Sequence, residues 1–318
     1  MTTADAFQGV ILAAGKGTRM RPFSERWPKP VLPVLGKPLL AYQLEMLAAI
    51  GVKDIVVVIG HLGHEVVRTL GDGSKFGVRI RYVEQEETLG IAHAVSRLES
   101  HVDRPFFLFL GDIFFTIENL DAMADSLRTR RAHGVLACRR EPDLEAIRRN
   151  FVVHRGEDGF VQRVVEKPRH PRTDLKGCGI YLFDMAFFDA VRRTPRTAMR
   201  NEYEITDAIQ IFLDDGYKVE AAEVVVEDVN VSYPPDLLDL NLRLLERQGK
   251  ESWVGANVQV ASSAQLDRCI LMEGAVVEGD ARLQECMLLP GSKVAAGRSA
   301  TRVIFTPRSE IRCLDGDS

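Results

Sequence analysis

Short apolar runs alternate with amphipathic stretches along the chain as far as residue 245. The apolar runs predict buried strands, and apolar residues at three- and four-residue spacing predict helices. The predicted strands lie at 10–12, 55–59, 80–83, 106–110, 135–138, 151–155, 161–165, 179–183 and 219–226, and the predicted helices at 39–50, 65–70, 92–98, 120–131, 185–193, 204–215 and 235–246. This alternation predicts an α/β fold, with a mixed, mainly parallel sheet flanked by helices.

The pattern changes after Trp253. Leu271, Val277, Leu283 and Leu289 recur at every sixth residue, with glycine and alanine between them. A helix does not keep a six-residue period, whereas a hexapeptide β-helix does, and the segment is long enough for about three coils. A few irregular strands of a small sandwich are the alternative. We therefore predict an α/β domain over 1–248 and a β-helix domain over 249–318.

Composition limits the possible partners. Of the 318 residues, 46% are hydrophobic and 27% charged, and the net charge of −4 includes no basic block that would favour nucleic acid. Five widely spaced cysteines argue against a disulfide framework or a zinc site, so we expect a reducing, cytoplasmic compartment. No apolar run approaches the roughly 18 residues of a membrane span. We expect no nucleic acid and no membrane among the partners.

The first predicted strand leads into a loop of small residues, Ala13-Ala14-Gly15-Lys16-Gly17-Thr18-Arg19. Small residues let backbone N–H groups approach a polyphosphate, and nearby cations neutralise its charge. The loop is not a Walker A motif, because Gly17 stands where that motif needs Ser or Thr after the lysine. It is not a dinucleotide fingerprint either, because Met20 replaces the last glycine. An ordinary βα turn would leave the later Pro28-Lys29-Pro30 unexplained.

The segment from residue 10 to residue 38 closely resembles the signature of the sugar-1-phosphate nucleotidylyltransferases, the NDP-sugar pyrophosphorylases. Their hydrophobic strand, L-A-A-G-x-G-T-R-[LM]-x-P, P-K-P and K-P all occur here in order. The resemblance implies a Rossmann-like core followed by a left-handed β-helix. It also implies that a sugar 1-phosphate attacks the α-phosphorus of an NTP and releases pyrophosphate. Such transfers need in-line positioning, a divalent metal and cations, so we expect Mg²⁺ and no covalent intermediate.

The resemblance assigns the catalytic and metal-binding residues. Arg19 grips the triphosphate, and Lys29 reaches the α-phosphate and the sugar phosphate. Asp112, just past the end of a predicted strand, matches the metal ligand of the family's G-D motif. Asn230 stands where the family usually has a second metal-binding Asp, although members specific for N-acetylglucosamine 1-phosphate have Asn there. A register slip would give that role to Asp228 or Glu227.

The nucleotide is expected on the loop and on a second segment. The loop residues are Ala13, Ala14, Gly15, Gly17 and Thr18. Gln85 and Gly90 match a family segment that faces the nucleobase, although a polar turn before a helix would also explain them. The Ala13-Ala14 pair, in place of Gly-Gly, favours a pyrimidine such as UTP or dTTP.

The sugar phosphate is expected on four other positions. By resemblance, Glu166 binds sugar hydroxyls, Lys167 and Arg200 lie near the sugar phosphate, and Gly179 lines the sugar. Phe151 replaces a glycine that borders the sugar in the family, so either the pocket is reshaped or the local alignment slips.

We therefore expect a homo-oligomeric enzyme that condenses UTP or dTTP with a sugar 1-phosphate such as glucose 1-phosphate. A mannose-1-phosphate guanylyltransferase and an N-acetylhexosamine-1-phosphate uridylyltransferase are alternatives. A catalytically weak regulatory homologue is another, and Asn230 and Phe151 are its only support.

Overall fold

A computed structural model describes residues 6–198 and 201–313. The chain forms two compact units, Met1–Lys16 with Leu40–Asp228 and Gly17–Leu39 with Val229–Ser318. The domain boundary predicted after residue 248 stays a prediction. No helix in the described ranges has both the length and the apolar character that crossing a bilayer requires.

Most predicted elements are present, with ends shifted by a few residues. In chain order the strands are β1 (Gln8–Ala13), β2 (Pro33–Val34), β3 (Lys37–Pro38), β4 (Asp54–Ile59), β5 (Arg79–Glu84), β6 (Phe106–Leu110), β7 (Ile113–Ile117), β8 (Gly134–Arg140), β9 (Phe151–Arg155), β10 (Val161–Glu166), β11 (Leu175–Phe183), β12 (Val219–Ala222), β13 (Val225–Asn230), β14 (Trp253–Val254), β15 (Gln259–Val260), β16 (Gln265–Asp267), β17 (Ile270–Leu271), β18 (Val276–Val277), β19 (Arg282–Gln284), β20 (Met287–Leu288), β21 (Lys293–Val294), β22 (Ser299–Thr301), β23 (Val303–Phe305) and β24 (Glu310–Arg312). The helices are α1 (Leu39–Ala49), α2 (Gly63–Leu70), α3 (Ile91–Ser96), α4 (Asp121–Thr129), α5 (Leu144–Arg148), α6 (Phe187–Arg193), α7 (Ile205–Asp214) and α8 (Pro234–Arg247).

The first unit contains a nine-stranded mixed sheet with a spine in the order β10-β9-β11-β6-β1-β4-β5. Strand β1 pairs in parallel with β4 and β6, and β4 with β5, whereas β11 runs antiparallel to β6, β8 and β9. The predicted mixed, mainly parallel Rossmann-like sheet is confirmed. Because β1, β4 and β6 are parallel, their carboxyl ends meet at one edge, which is where ligands of such sheets bind.

Two differences from the predicted elements have local causes. The strand expected over 219–226 is divided into β12 and β13, because Val224 N donates to Ala222 O and turns the chain. Strand β7 begins directly after Asp112 and was not predicted, since its apolar run follows that of β6 after only two residues.

The second unit contains three stacked coils of parallel strands, the arrangement expected of the predicted left-handed β-helix. Trp253, Ile270, Met287 and Ile304 pair in register, so each coil takes 17 residues. The strands of one coil begin at intervals of six, six and five residues, and the antiparallel strand β24 closes the last coil. The six-residue period therefore fails once in each coil, at the shortened corner.

Charged residues occupy that shortened corner. Arg268, Glu285 and Arg302 all have positive φ values near 51°, an uncommon conformation for residues other than glycine. Arg268 Nη1 lies 3.1 Å from Glu285 Oε1, and Arg302 Nη1 lies 3.3 Å from Glu285 Oε2. Arg302 Nη2 also lies 2.7 Å from Asp239 Oδ1 of α8. These three stacked residues, here called the charge ladder, link the coils to one another and to α8.

Candidate active site

Glycines at the ends of β4 and β6 bring the backbone of the sheet edge close together. Gly111 N donates to Leu12 O at 2.9 Å, and a Cβ on Gly111 would lie only 2.8 Å from that oxygen. A Cβ on Gly60 would lie 2.7 Å from Ala14 O. Both positions therefore need glycine for β1 and the start of the loop to pass. Gly60 was not predicted, although its position after an apolar strand matches that of Gly111.

Asp112 follows Gly111 at this edge and is half-buried between β6 and β7. It thus lies at the carboxyl end of a strand next to β1, where the sequence predicts it. Among the described residues, no group of three or more His, Cys, Asp or Glu side chains could hold a metal ion.

In the second unit, the later part of the loop packs against Lys29. Gly17 has a φ of 59°, and a Cβ there would lie 3.1 Å from Lys29 Cγ. Met20 N donates to Gly17 O at 2.9 Å, which closes a short 3₁₀ turn over Thr18–Met20. The structure therefore brings together Gly17 and Lys29, which lie twelve positions apart in the predicted signature. Glycine at position 17 supplies both the left-handed backbone and the room for the lysine stem.

Arg19 belongs to the same 3₁₀ turn, and its guanidinium carbon lies 5.8 Å from the centroid of the Tyr233 ring. This distance is within the range of a cation–π contact, which restricts the arginine without neutralising it. Tyr233 was not predicted as a site residue. It lies directly before α8, where its backbone N donates to Asp236 Oδ2 at 2.7 Å.

The two residues considered for the second metal ligand have different surroundings. Asn230 is exposed at the end of β13, and its Oδ1 lies 3.2 Å from Ser232 Oγ. Both carboxylate oxygens of Asp228, in contrast, accept from Lys176 Nζ at 2.8 and 2.9 Å. Asp228 is therefore already paired with a buried cation, whereas the Asn230 contact is with a neutral hydroxyl.

Asp228 is part of an ion cluster formed by Arg139, Glu141, Lys176 and Asp228. Arg139 Nε lies 3.0 Å from Asp228 Oδ1, and Arg139 also contacts the Glu141 carboxylate. Lys176 Nζ lies 3.6 Å from Glu141 Oε2. Burial raises the pKa of Asp228 above its ordinary value, although the positive charge of Lys176 acts in the opposite direction. No sequence pattern pointed to this cluster, because Lys176 and Asp228 lie far along the chain from Arg139 and Glu141.

The side-chain amide of Gln85 holds the segment that is predicted to face the nucleobase. Gln85 is only 7% exposed, and its Nε2 donates to Glu87 O at 2.8 Å. The same nitrogen lies 3.3 Å from His93 Nδ1. The His93 ring stacks on the Tyr203 ring with centroids 5.9 Å apart. His93 and Tyr203 were both missed by the sequence reasoning.

Gly90 allows this segment to pack against the backbone of Tyr203, shortly before α7. Its φ is 110°, and a Cβ would lie 2.4 Å from Tyr203 O. Tyr203 N donates to Leu89 O at 2.8 Å, and Ala92 N donates to Tyr203 O at 3.0 Å. A glycine is therefore required at position 90 by this backbone contact alone.

Glu166 and Lys167, the predicted sugar-binding pair, lie at the end of β10. Lys167 Nζ is 3.8 Å from Glu166 Oε1, and Thr206 Oγ1 lies 3.5 Å from Glu166 Oε2. Burial and the nearby Glu166 charge raise the pKa of Asp207, in that order of importance. Burial likewise raises the pKa of Tyr181, and Glu166 adds to this effect. The Glu166 carboxylate, which lies beside the Thr206 hydroxyl, is suited to accept hydrogen bonds from hydroxyl groups.

Phe151 lies opposite Glu166 in the β9–β10 register, but its ring is buried in the core. It stacks on Tyr181 with centroids 6.2 Å apart. A Cβ on Gly177 would lie 1.8 Å from Phe151 Cζ, so the glycine makes room for the ring. The Phe151 ring is thus accommodated by a second position that carries no side chain.

Gly179 lies in an irregular part of β11, where the pairing with β8 shifts between Gly177 and Tyr181. Its φ is 78°, and a Cβ would lie 2.9 Å from Leu110 Cδ1. Glycine is therefore required there by both conformation and space. Arg200, the remaining predicted sugar-phosphate residue, lies outside the described residues.

Comparison with known proteins identifies a family over most of the chain. The nucleotidyl transferase family matches residues 8–237. The chain belongs to that family. The match begins with β1, includes the Gly-rich loop, Asp112 and Glu166, and ends in α8.

Several relatives carry functional names. The low-salt glycan biosynthesis nucleotidyltransferase Agl11 of Haloferax volcanii is 33% identical, over 81% of this chain and 73% of its own length. A glucose-1-phosphate thymidylyltransferase of Streptomyces antibioticus is 35% identical over 75% of this chain, but only 66% of its own length is matched. The UTP–glucose-1-phosphate uridylyltransferase AglF of Haloferax volcanii is 35% identical over 75% of this chain and 97% of its own.

A solved structure has the same fold. A Bacillus anthracis protein described as a candidate glucose-1-phosphate thymidylyltransferase, crystallised with sucrose, superposes with a TM-score of 0.66. Its sequence is 27% identical, and the match covers 74% of this chain and 94% of that one.

Proposed function

We propose that the protein condenses a nucleoside triphosphate, UTP or dTTP, with a sugar 1-phosphate, glucose 1-phosphate first among them. The products are an NDP-sugar and pyrophosphate. The observation that carries the proposal is the complete loop signature, in which the Lys29 stem packs so closely on Gly17 that a Cβ there would lie 3.1 Å from Lys29 Cγ. The named functions of Agl11, AglF and the Streptomyces enzyme support the same reaction class.

In this reaction an oxygen of the sugar 1-phosphate forms a bond to the α-phosphorus. The bond between that phosphorus and the β-phosphate oxygen breaks, and pyrophosphate leaves with the electron pair. Arg19 would hold the triphosphate and offset the charge of the leaving group, and Lys29 would hold the α-phosphate and the incoming phosphate. No side chain is required as a nucleophile.

For the divalent cation of this reaction we propose Mg²⁺. Asp112 offers a carboxylate directly after Gly111, and Asn230 offers an amide oxygen at an exposed strand end. Both are oxygen ligands of the kind that Mg²⁺ prefers, together with retained waters. When bound, the cation would neutralise and orient phosphate oxygens. The ion pair with Lys176 favours Asn230 over Asp228 as the second ligand.

The remaining predicted residues would hold the two substrates in line. We propose Ala13, Ala14, Gly15, Gly17 and Thr18 for the phosphates, and Gln85 and Gly90 for the base. Glu166 would accept from sugar hydroxyls, while Lys167 and Arg200 would bind the sugar phosphate beside Gly179. Positioning of this kind supplies much of the rate enhancement in phosphoryl-type transfers.

One specific observation favours a second candidate, an N-acetylhexosamine-1-phosphate uridylyltransferase: Asn230 occupies the position of the usual Asp. The family resemblance associates that Asn with N-acetylglucosamine 1-phosphate. We further propose that the enzyme works as a homo-oligomer in the cytoplasm.

A matrix of five NTPs against four sugar 1-phosphates, read as pyrophosphate release, tests the function. We expect turnover with UTP or dTTP and glucose 1-phosphate, and Asp112→Ala should abolish it. Asp103→Ala, at an exposed carboxylate paired with Arg104, is the matched control and should retain activity. Absence of turnover with every pair would favour the regulatory homologue, and full activity of Asp112→Ala would refute the metal assignment.

A further inference from the structure

We propose that His93 is a positioning residue that, together with the Glu87 carbonyl, selects the nucleobase by holding the orientation of the Gln85 amide. This inference rests on the proposed function, because it takes Gln85 to face the base. His93 would help to set which property of the base is recognised.

The orientation of the amide follows from its partners. A backbone carbonyl only accepts hydrogen bonds, so the atom 2.8 Å from Glu87 O must be the amide nitrogen of Gln85. The same nitrogen lies 3.3 Å from His93 Nδ1, within hydrogen-bond distance, and an amide nitrogen can only donate. The imidazole therefore accepts at Nδ1 and carries its proton on Nε2. With both amide hydrogens used, the oxygen Oε1 is the atom that can accept from a ligand.

His93 is itself held in place. Its ring stacks on Tyr203 at a centroid distance of 5.9 Å, with 29° between the planes. Tyr203 is bound through its backbone to Leu89 and Ala92, on either side of Gly90. Gln85, His93 and Tyr203 thus form one connected arrangement, in which the imidazole has little freedom to turn.

An amide that presents only its oxygen recognises a ring N–H. Uracil and thymine carry a hydrogen on N3, and guanine carries one on N1. Cytosine and adenine have a bare acceptor nitrogen at the corresponding position. An acceptor placed against an acceptor leaves both unsatisfied, which is unfavourable where water is excluded. The arrangement therefore selects keto bases and rejects CTP and ATP.

UTP and CTP, which have the same ring size, separate this effect from simple shape. The experiment compares the ratio of kcat/KM for UTP to that for CTP in the wild type, His93→Phe and His93→Asn. Phenylalanine keeps a ring on Tyr203 but removes the acceptor, whereas asparagine restores an acceptor without the ring. His64→Phe, at an exposed histidine of the same unit, is the matched control.

We expect His93→Phe to lower the UTP-to-CTP ratio about three- to tenfold, as loss of one hydrogen bond predicts, and to raise kcat/KM for CTP itself. His93→Asn should restore most of the ratio, and His64→Phe should not change it. A rise in CTP activity cannot come from general damage to the fold. An unchanged ratio in His93→Phe, or an equal loss in both His93 variants, would overturn the inference.

Equilibrium binding of UTP and CTP, measured by calorimetry, keeps the two proposals apart. If the wild type binds UTP but turns over no sugar phosphate, the proposed function fails while the binding ratio still tests His93. If the wild type turns over UTP and the His93 variants keep its selectivity, only the inference fails. Equal binding of UTP and CTP by the wild type would also overturn the inference.

Discussion

Two groups of ion pairs, one in each unit of this protein, lie in opposite surroundings. In the first unit, the side chains of Lys176 and Asp228 are 4% and 8% exposed. In the second unit, the charge ladder of Arg268, Glu285 and Arg302 lies at a corner of the coils, with side chains 20–44% exposed. Buried charges have lost their hydration and depend on their ion partners. Exposed charges can bind water when a partner is removed. Breaking an ion pair should therefore cost much more stability in the ion cluster than in the charge ladder.

The largest effect is expected from breaking the ion cluster. Lys176→Met leaves Asp228 and Glu141 with Arg139 alone, so we expect a loss of about 3–5 kcal/mol in the free energy of unfolding, measured with urea. Lys293→Met is the matched control, because Lys293 forms an exposed pair with Glu278 at 2.7 Å. That variant should lose less than about 1 kcal/mol. Equal losses would show that the cluster is as well solvated as the surface.

A second test compares how tightly the units are packed. Gly177→Ala would place a Cβ on the Phe151 ring, so we expect a loss of about 1–3 kcal/mol in the free energy of unfolding. Adding Phe151→Leu should recover part of that loss. Gly279→Ala in the coils, where the nearest atom is the Ser263 hydroxyl at 3.1 Å, should cost about 0.5 kcal/mol or less. Additive effects of the first two changes would contradict the contact between them.

The charge ladder can be tested at its centre. Glu285→Gln leaves Arg268 and Arg302 without their shared carboxylate, and we expect a loss of about 1 kcal/mol in thermal or urea unfolding at low salt. Because solvated charges are screened, the difference from the wild type should shrink at about 0.5 M NaCl. A difference that does not depend on salt would contradict the solvated character of the ladder.

The smallest effect concerns pH. Burial and Glu166 raise the pKa of Asp207 above 3.8, so the folded state holds a proton there that the unfolded state has released. Its contribution to stability therefore falls as pH rises from 3.8 through the raised value. Asp207→Asn should remove that decline in urea titrations between about pH 3 and 7. A variant profile parallel to that of the wild type would refute it.

The sequence predicted those features that depend on neighbours along the chain. Apolar periodicity located the strands around Val10 and Leu108, and the spacing of Gly15, Gly17 and Lys29 predicted the loop. Features that depend on strand order were missed. Lys176 and Asp228 meet only because β11 and β13 come together. The sequence around either residue does not indicate that the two are in contact.

Three other misses have a similar cause. His93 reads as an ordinary residue of an amphipathic helix, because its partners Gln85 and Tyr203 lie 8 and 110 positions away. The six-residue period predicted the coils, but the shortened corner became visible only when Ile270 and Met287 were seen in register. The departure from the family at Phe151 stays a prediction, and the room that Gly177 leaves for its ring became visible only in the fold.

The 17-residue coil also restricts how this protein can change in length. A duplicated coil must add 17 residues, because any other number would move buried positions to the surface at the next corner. One added coil would set two like charges side by side in the alternation of Arg268, Glu285 and Arg302. Two added coils would preserve it. A duplication of two coils is therefore the shortest one that keeps this alternation of charges.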